Sequence, residues 1–315
     1  MRGTVIKNTG SNYVVESPDG TLTNCKVKGK FRLKGIRTTN PVAVGDVVEF
    51  SDTTHDDQNA TAYITAIEPR RNYIIRRASN LSKESHIIAA NIDLLALVVT
   101  LAYPDTSTTF IDRVLATAEA YNVPAIIVIN KTDILDSDDD KELLDAVTYL
   151  YKSIGYPVIH LSATTGTGMD ELKAAIAGKT VLFSGNSGVG KSTIINCLVP
   201  GANLKTANLS DAYHTGTHTT TFSEMLLTPD GARIIDTPGV RGFGTIELGK
   251  TQVAHYFPEI FRISSNCRYG NCTHTHEPGC AVLEAVENCA IAQSRYASYL
   301  SIMEDDDEGK YRKPF

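Results

Sequence analysis

The chain of 315 residues carries 21% charged and 42% hydrophobic residues, the balance of a soluble globular protein rather than a disordered one. Its net charge of −6 argues against a uniformly basic nucleic-acid binder, and no run approaches the ~18 uninterrupted apolar residues of a membrane-spanning helix. The opening MRGTVIKNTG has no apolar signal segment, so a cytoplasmic chain without membrane association is expected.

This length suits two or three domains, because single cores stop growing near ~250–300 residues. Residues 1–68 read as short alternating strands at Gly3–Lys7, Tyr13–Glu16, Cys25–Val27, Asp46–Ser51 and Ala62–Ile67, separated by Gly, Asn, Asp and Pro turn signals. Within residues 1–50 eight Lys/Arg stand against four acids, so this part is locally basic. Five strands in a small basic unit fit an oligonucleotide-binding (OB) type β-barrel that binds RNA; an ordinary β-domain with a solvated basic face fits the composition equally.

From residue 90 the pattern changes. Asp93–Leu101, Ala125–Ile129, Val158–Leu161 and Val181–Ser184 are continuous apolar runs, as strands of a parallel sheet buried on both faces should be. Helices are predicted between them at Thr109–Tyr121, Lys141–Ile154 and Met169–Ala177, and two more strands at Thr221–Leu227 and Arg233–Asp236 extend the sheet. Residues 69–245 therefore form an α/β domain with a mostly parallel sheet. Residues 246–315 form a third unit: a Cys/His-rich stretch, a helix near Ala281–Ile302 and a frayed acidic tail.

Four strand ends carry chemistry. Gly185-Asn186-Ser187-Gly188-Val189-Gly190-Lys191-Ser192 follows one apolar strand and opens a helix, the setting that identifies a phosphate-binding loop. Its glycines turn backbone N–H groups toward a β-phosphate, Lys191 neutralises β/γ charge, and Ser192 is placed to ligate Mg2+. Asp236-Thr237-Pro238-Gly239 follows another strand, so the Asp236 carboxylate is a further Mg2+ contact and the Gly239 amide faces the γ-phosphate.

Asn130-Lys131-Thr132-Asp133 ends the Ala125–Ile129 strand. A carboxylate at Asp133 accepts the paired N1–H and N2–H2 donors of guanine, a pair adenine lacks. Asn130 contacts the base edge and braces neighbouring loops, and the Lys131 stem lies against the ring. Ser162-Ala163 ends the next strand, where the Ala163 amide can donate to guanine O6. The base-reading loops thus precede the phosphate loop, a permuted order.

The polar run His214-Thr215-Gly216-Thr217-His218-Thr219-Thr220-Thr221 lies between the phosphate loop and Asp236, as expected of a switch ordered by γ-phosphate and Mg2+. Thr219 or Thr220 supplies the added Mg2+ contact, with Thr220 favoured. Val240 stands where many GTPases carry a water-orienting Gln, which makes His218 the candidate for positioning the attacking water. Downstream, Cys267, Cys272, His274 and Cys280 supply the donors of a closed tetrahedral Cys3His zinc site, a structural arrangement. His276 competes as a ligand, and Cys289 is the weaker alternative.

With these motifs assembled, the sequence resembles the RsgA family (also called YjeQ or YloQ), circularly permuted bacterial GTPases acting on the small ribosomal subunit. The resemblance runs over nearly the whole chain: basic β-domain, NKTD, SA, GNSGVGKS, the HTTT switch, DTPG and the Cys-Cys-His-Cys stretch. It implies an OB-type barrel, a permuted P-loop GTPase core and a C-terminal zinc-binding domain. It also implies hydrolysis of GTP to GDP, stimulated by the subunit during its late maturation. By motif match it carries over Asn130–Asp133 and Gly185–Ser192 with Thr193 as GTP contacts, Lys191 and His218 as catalytic groups, and Cys267, Cys272, His274 and Cys280 as zinc ligands. Thr217 stands where that family often has a basic residue. Expected partners are GTP/GDP and the small subunit with its 16S rRNA and proteins, approached by a monomeric chain. The alternative is a nucleotide-gated RNA-binding assembly factor in which turnover is incidental.

Overall fold

The computed structural model describes residues 1–27, 41–51, 62–77, 85–204, 223–236 and 252–308. Strands β1 (Arg2–Asn8), β2 (Tyr13–Glu16), β3 (Leu22–Val27), β4 (Val47–Phe50) and β5 (Ala62–Ile67) form the N-terminal unit. Alternation turns Val5, Val15, Cys25, Val48, Phe50 and Ile64 into one interior core. The strands pair in the order β1-β2-β3-β5-β4, and β4 returns to β1. That closure satisfies both edges and makes the five-stranded barrel expected from the sequence.

A hairpin of β6 (Tyr73–Arg77) and β7 (Ser85–Ala90), which the sequence reading does not anticipate, leads onward. The buried Arg70 guanidinium grips Asp46 through two bonds of 2.6 and 2.7 Å and thereby fixes the barrel to this connection.

Strands β8 (Leu94–Val99), β9 (Ala125–Ile129), β10 (Val158–His160), β11 (Thr180–Ser184), β12 (Ser223–Leu227) and β13 (Arg233–Asp236) build the second unit. The order β10-β9-β8-β11-β13 is parallel throughout, and β12 closes it antiparallel to β13. Because both faces are buried, alternate residues of one strand serve different cores. Leu95, Leu97 and Val99 pack with α1 (Thr108–Ala120) and α2 (Asp138–Ile154). Leu94, Ala96 and Val98 pack with α3 (Met169–Ile176) and α4 (Lys191–Leu198). Each such fully buried Leu or Val contributes about 1.5–3 kcal/mol against exposure, which is why these runs show no polar alternation.

Strand β12 also pairs antiparallel with β1, so barrel and core share one continuous sheet of eleven strands. Ion pairs Lys7–Glu224 (3.0 Å) and Arg233–Glu16 (2.9 Å) flank the junction.

The C-terminal unit packs α5 (Pro258–Ser264), α6 (Ala281–Glu287) and α7 (Gln293–Glu308) around Val253, Phe257, Ile260, Val282 and Tyr299. One helix over Ala281–Ile302 is the sequence expectation, and the structure corrects it. The chain breaks after Glu287, Cys289 takes a left-handed φ of 58°, and the N–H groups of Ala290 and Ile291 both return to the Ala285 carbonyl. The turn buries Ile291 in the C-terminal core, which offsets the interrupted helix. Helix α7 then runs through the acidic residues to Glu308, where a frayed tail is predicted.

Candidate nucleotide and metal sites

Parallel strands deliver their carboxyl ends to one edge of the sheet, where ligands of α/β folds bind. On that edge β8 lies between β9, which leads into Asn130, and β11, which leads into Gly185. The sequence-predicted base reader and phosphate loop are therefore separated by a single strand.

Side chains join them directly. Asn130 is buried, its Nδ2 donates to the Val189 carbonyl at 2.8 Å, and its Oδ1 accepts from the Ala163 N–H at 3.2 Å. One amide thus ties three loops, namely NKTD, the phosphate loop and Ser162-Ala163. The backbone N–H of Asn130 is itself held by the Val99 carbonyl at 2.8 Å. Thr132 donates both its N–H and its hydroxyl to the Leu161 carbonyl, fixing the short 3-10 turn Thr132–Ile134 that carries Asp133 against β10. Ser162 Oγ accepts from Thr165 N–H at 3.1 Å and shapes the loop that presents Ala163.

In the phosphate loop Gly190 adopts φ 94°, and a Cβ there would overlap the Asn130 amide nitrogen. Only glycine satisfies both conditions. Gly190 caps α4, so the N–H groups of Lys191, Ser192 and Thr193 form the helix start, an electropositive end suited to phosphate. The Lys191 ammonium donates to the carbonyls of Gly185 (2.6 Å) and Asn186 (2.7 Å), inside the curl of the loop. Burial lowers its pKa from the ordinary lysine value, and the Asp236 carboxylate partly opposes that shift. Asp236 ends β13 in register with Phe183 on β11, beside the phosphate loop. A hydroxyl at Ser192 and a carboxylate at Asp236 make an oxygen donor set fit for Mg2+.

Lys131 takes a left-handed φ of 63° and donates its ammonium to the Tyr103 carbonyl at 2.5 Å. Burial lowers its pKa as well, against the opposing charge of Asp133. The loop Thr100–Ser107, carrying Tyr103 and Pro104, is a part of this edge that motif reading misses. Its available signal is positional: Pro104 stands just beyond a buried parallel strand, where ligand-binding loops arise. Gly239, His218, Thr219 and Thr220 lie outside the described residues.

The metal-ligating atoms of Cys267, Cys272, His274 and Cys280 all lie within 4.8 Å of one another. His274 Nδ1 is 3.6 Å from Cys267 Sγ and 3.5 Å from Cys280 Sγ, and the two sulfurs are 3.9 Å apart. Sulfur bonds to zinc of ~2.3 Å in a tetrahedron put ligands roughly 3.5–3.8 Å apart, so these residues fit the ion. Tyr296 and Tyr299 donate to the carbonyls of His274 and Thr273 at 2.7 Å each, anchoring the ligand loop on α7. His276 instead pairs with Thr275 and is exposed, and Cys289 stands apart from the cluster.

Comparison with known proteins agrees with this geometry. A sequence profile described as RsgA N-terminal domain matches residues 2–64, and one described as RsgA GTPase matches residues 67–246. The small ribosomal subunit biogenesis GTPase RsgA of Bacteroides fragilis is 58% identical over 315 residues, spanning 100% of both chains. Its namesake in Porphyromonas gingivalis is 58% identical over 318 residues, again across 100% of both. YjeQ from Thermotoga maritima superposes with a TM-score of 0.76 at 33% identity, covering 97% of this chain and 98% of its own. YloQ, a circularly permuted GTPase, gives 0.73 at 30% identity, covering 99% of this chain and 96% of its own. With its sequence matched end to end and its loops assembled in permuted order, the chain belongs to the RsgA family of circularly permuted GTPases.

Proposed function

We propose that this GTPase acts on the small ribosomal subunit during its late maturation, binding 16S rRNA and coupling GTP hydrolysis to its own release. The names of its relatives support the substrate. The observation that carries the site assignment is the Asn130 side chain, whose two hydrogen bonds make base reader and phosphate loop one rigid unit.

In this reading Asp133 selects guanine, Lys131 packs on the base and Ala163 donates to O6. The amides from Gly185 to Thr193 and the Lys191 ammonium hold the phosphates. Mg2+ bound by Ser192, Asp236 and Thr220 would spread charge from the β- and γ-phosphate oxygens. Gly239 donates to the γ-phosphate, and His218 positions the attacking water. A zinc ion on Cys267, Cys272, His274 and Cys280 shapes the C-terminal unit and takes no part in hydrolysis. The three units meet near residues 68 and 245, and the chain works as a cytoplasmic monomer.

Steady-state GTP hydrolysis with and without purified small subunits tests the proposal. Stimulation by the subunit is expected; equal rates would favour an RNA-binding assembly factor whose turnover is incidental.

A further inference from the structure

Arg295 of α7 is 1% exposed, yet it is charged and serves two carboxylates. Its Nε and Nη2 donate to Glu259 on α5 at 2.7 and 3.1 Å, and its Nη1 donates to Asp112 on α1 at 2.7 Å. The guanidinium carbon lies 4.6 Å from the centre of the Phe257 ring. Tyr151 of α2 completes the cluster by donating to Asp112 at 2.9 Å.

Asp112 and Tyr151 belong to the GTPase core, whereas Glu259, Phe257 and Arg295 belong to the C-terminal unit, so the network crosses the boundary between them. Removing one partner from such a group strands buried charge, which restricts the neighbouring helices to one relative placement. Arg113 adds a bond to Ser301 Oγ at 2.9 Å, and Ala116 of α1 is itself part of the C-terminal core.

The same helix begins at the nucleotide site. Ser107 caps α1, and the preceding loop is braced by Thr100 N–H on Thr106 Oγ1 (3.2 Å) and by Thr106 N–H on the Thr100 carbonyl (2.9 Å). That loop touches both halves of the site. Its Tyr103 carbonyl holds the Lys131 ammonium, and the Pro104 ring carbons lie 3.5 and 3.6 Å from where a Cβ on Gly188 would stand.

We infer that Arg295, although in the C-terminal unit, is a positioning residue for the nucleotide site, acting through Asp112, α1 and the Thr100–Ser107 loop on Lys131 and Gly188. The inference rests on the reading of those two residues as nucleotide contacts. It gives the C-terminal unit a route to nucleotide retention that bypasses the segment between Asp236 and α5. A partner that shifts α7 thereby alters how long GDP stays bound.

The test is release of a fluorescent (mant) GDP from the full-length chain carrying Arg295→Met, with thermal melting as the folding control. The chain has no tryptophan and Tyr103 is 74% exposed, so Tyr103→Trp supplies a single emission reporter on the loop. Release faster by about fivefold or more, with cooperative melting and an altered emission spectrum in the reporter background, is expected. Release within about twofold of the parent overturns the inference, as does faster release with unchanged emission. If Arg295→Met does not melt cooperatively, Asp112→Ala, which removes the Oδ1 acceptor that Arg295 uses on α1, carries the same expectation and the same refutation. Failure of the parent chain to bind mant-GDP at all would instead overturn the nucleotide reading, and this inference with it.

Discussion

Asn130 and Val189 are 59 residues apart in the chain and joined by a 2.8 Å hydrogen bond. Through it the loop proposed to read the base and the loop proposed to hold the phosphates are set at a fixed spacing. Permutation moves chain ends but leaves this spacing intact, because it depends on adjacent strand ends rather than on order in the sequence.

Gly190→Ala should abolish nucleotide binding while the core still folds. A Cβ at that position meets the Asn130 amide, and a φ of 94° costs an L-residue roughly 1–3 kcal/mol besides. Isothermal titration with GDP checks this. Retained affinity would mean that the loop accepts a side chain the geometry forbids.

If Lys191 holds the phosphates as proposed, GDP affinity should depend on pH. The Lys191 pKa in the free protein is lowered by burial, so between that value and the ordinary 10.5 the unfolded chain binds more protons than the folded one. Burial of this charged lysine therefore costs stability at neutral pH, and the cost fades as pH rises through the lowered value. The phosphates favour the charged form, so GDP affinity should fall across the alkaline range with proton uptake on binding. Calorimetry in buffers of different ionisation enthalpy measures that uptake.

His218→Ala is expected to lower subunit-stimulated turnover by about 10²–10⁴-fold while GTP affinity stays nearly constant, the signature of a group used at the hydrolytic step. A large loss of affinity in the titration would assign the histidine to binding instead.

The strands that lead into the candidate site are legible in the sequence because period and motif agree there. Ala125–Ile129 and Thr180–Ser184 are unbroken apolar runs, and each leads straight into its motif. Contacts made only in three dimensions were not readable. Arg295 finds Asp112 across 183 residues, and neither residue's neighbours in sequence announce a partner. The break after Glu287 was hidden for a related reason: residues 288–292 contain no Gly or Pro, and Cys289 turns left-handed where Ile291 enters the core. The β1–β12 junction is likewise a matter of register between distant edges.

Cys280→Ala should abolish zinc binding and loosen α6, since Cys280 Sγ also accepts from the Leu283 N–H that starts this helix and alanine offers no acceptor. Zinc content by mass spectrometry and the melting profile report the two effects together. Full zinc retention would show that the four donors do not act as one set.

The most direct measurement is the binding of GDP and XDP to Asp133→Asn. If Asp133 and the Lys191 cradle hold the two ends of one nucleotide, the variant should lose GDP affinity and gain XDP affinity, reversing a preference that a hydrogen-bonding site sets at several orders of magnitude. Unchanged affinities for both nucleotides would contradict the account at its centre.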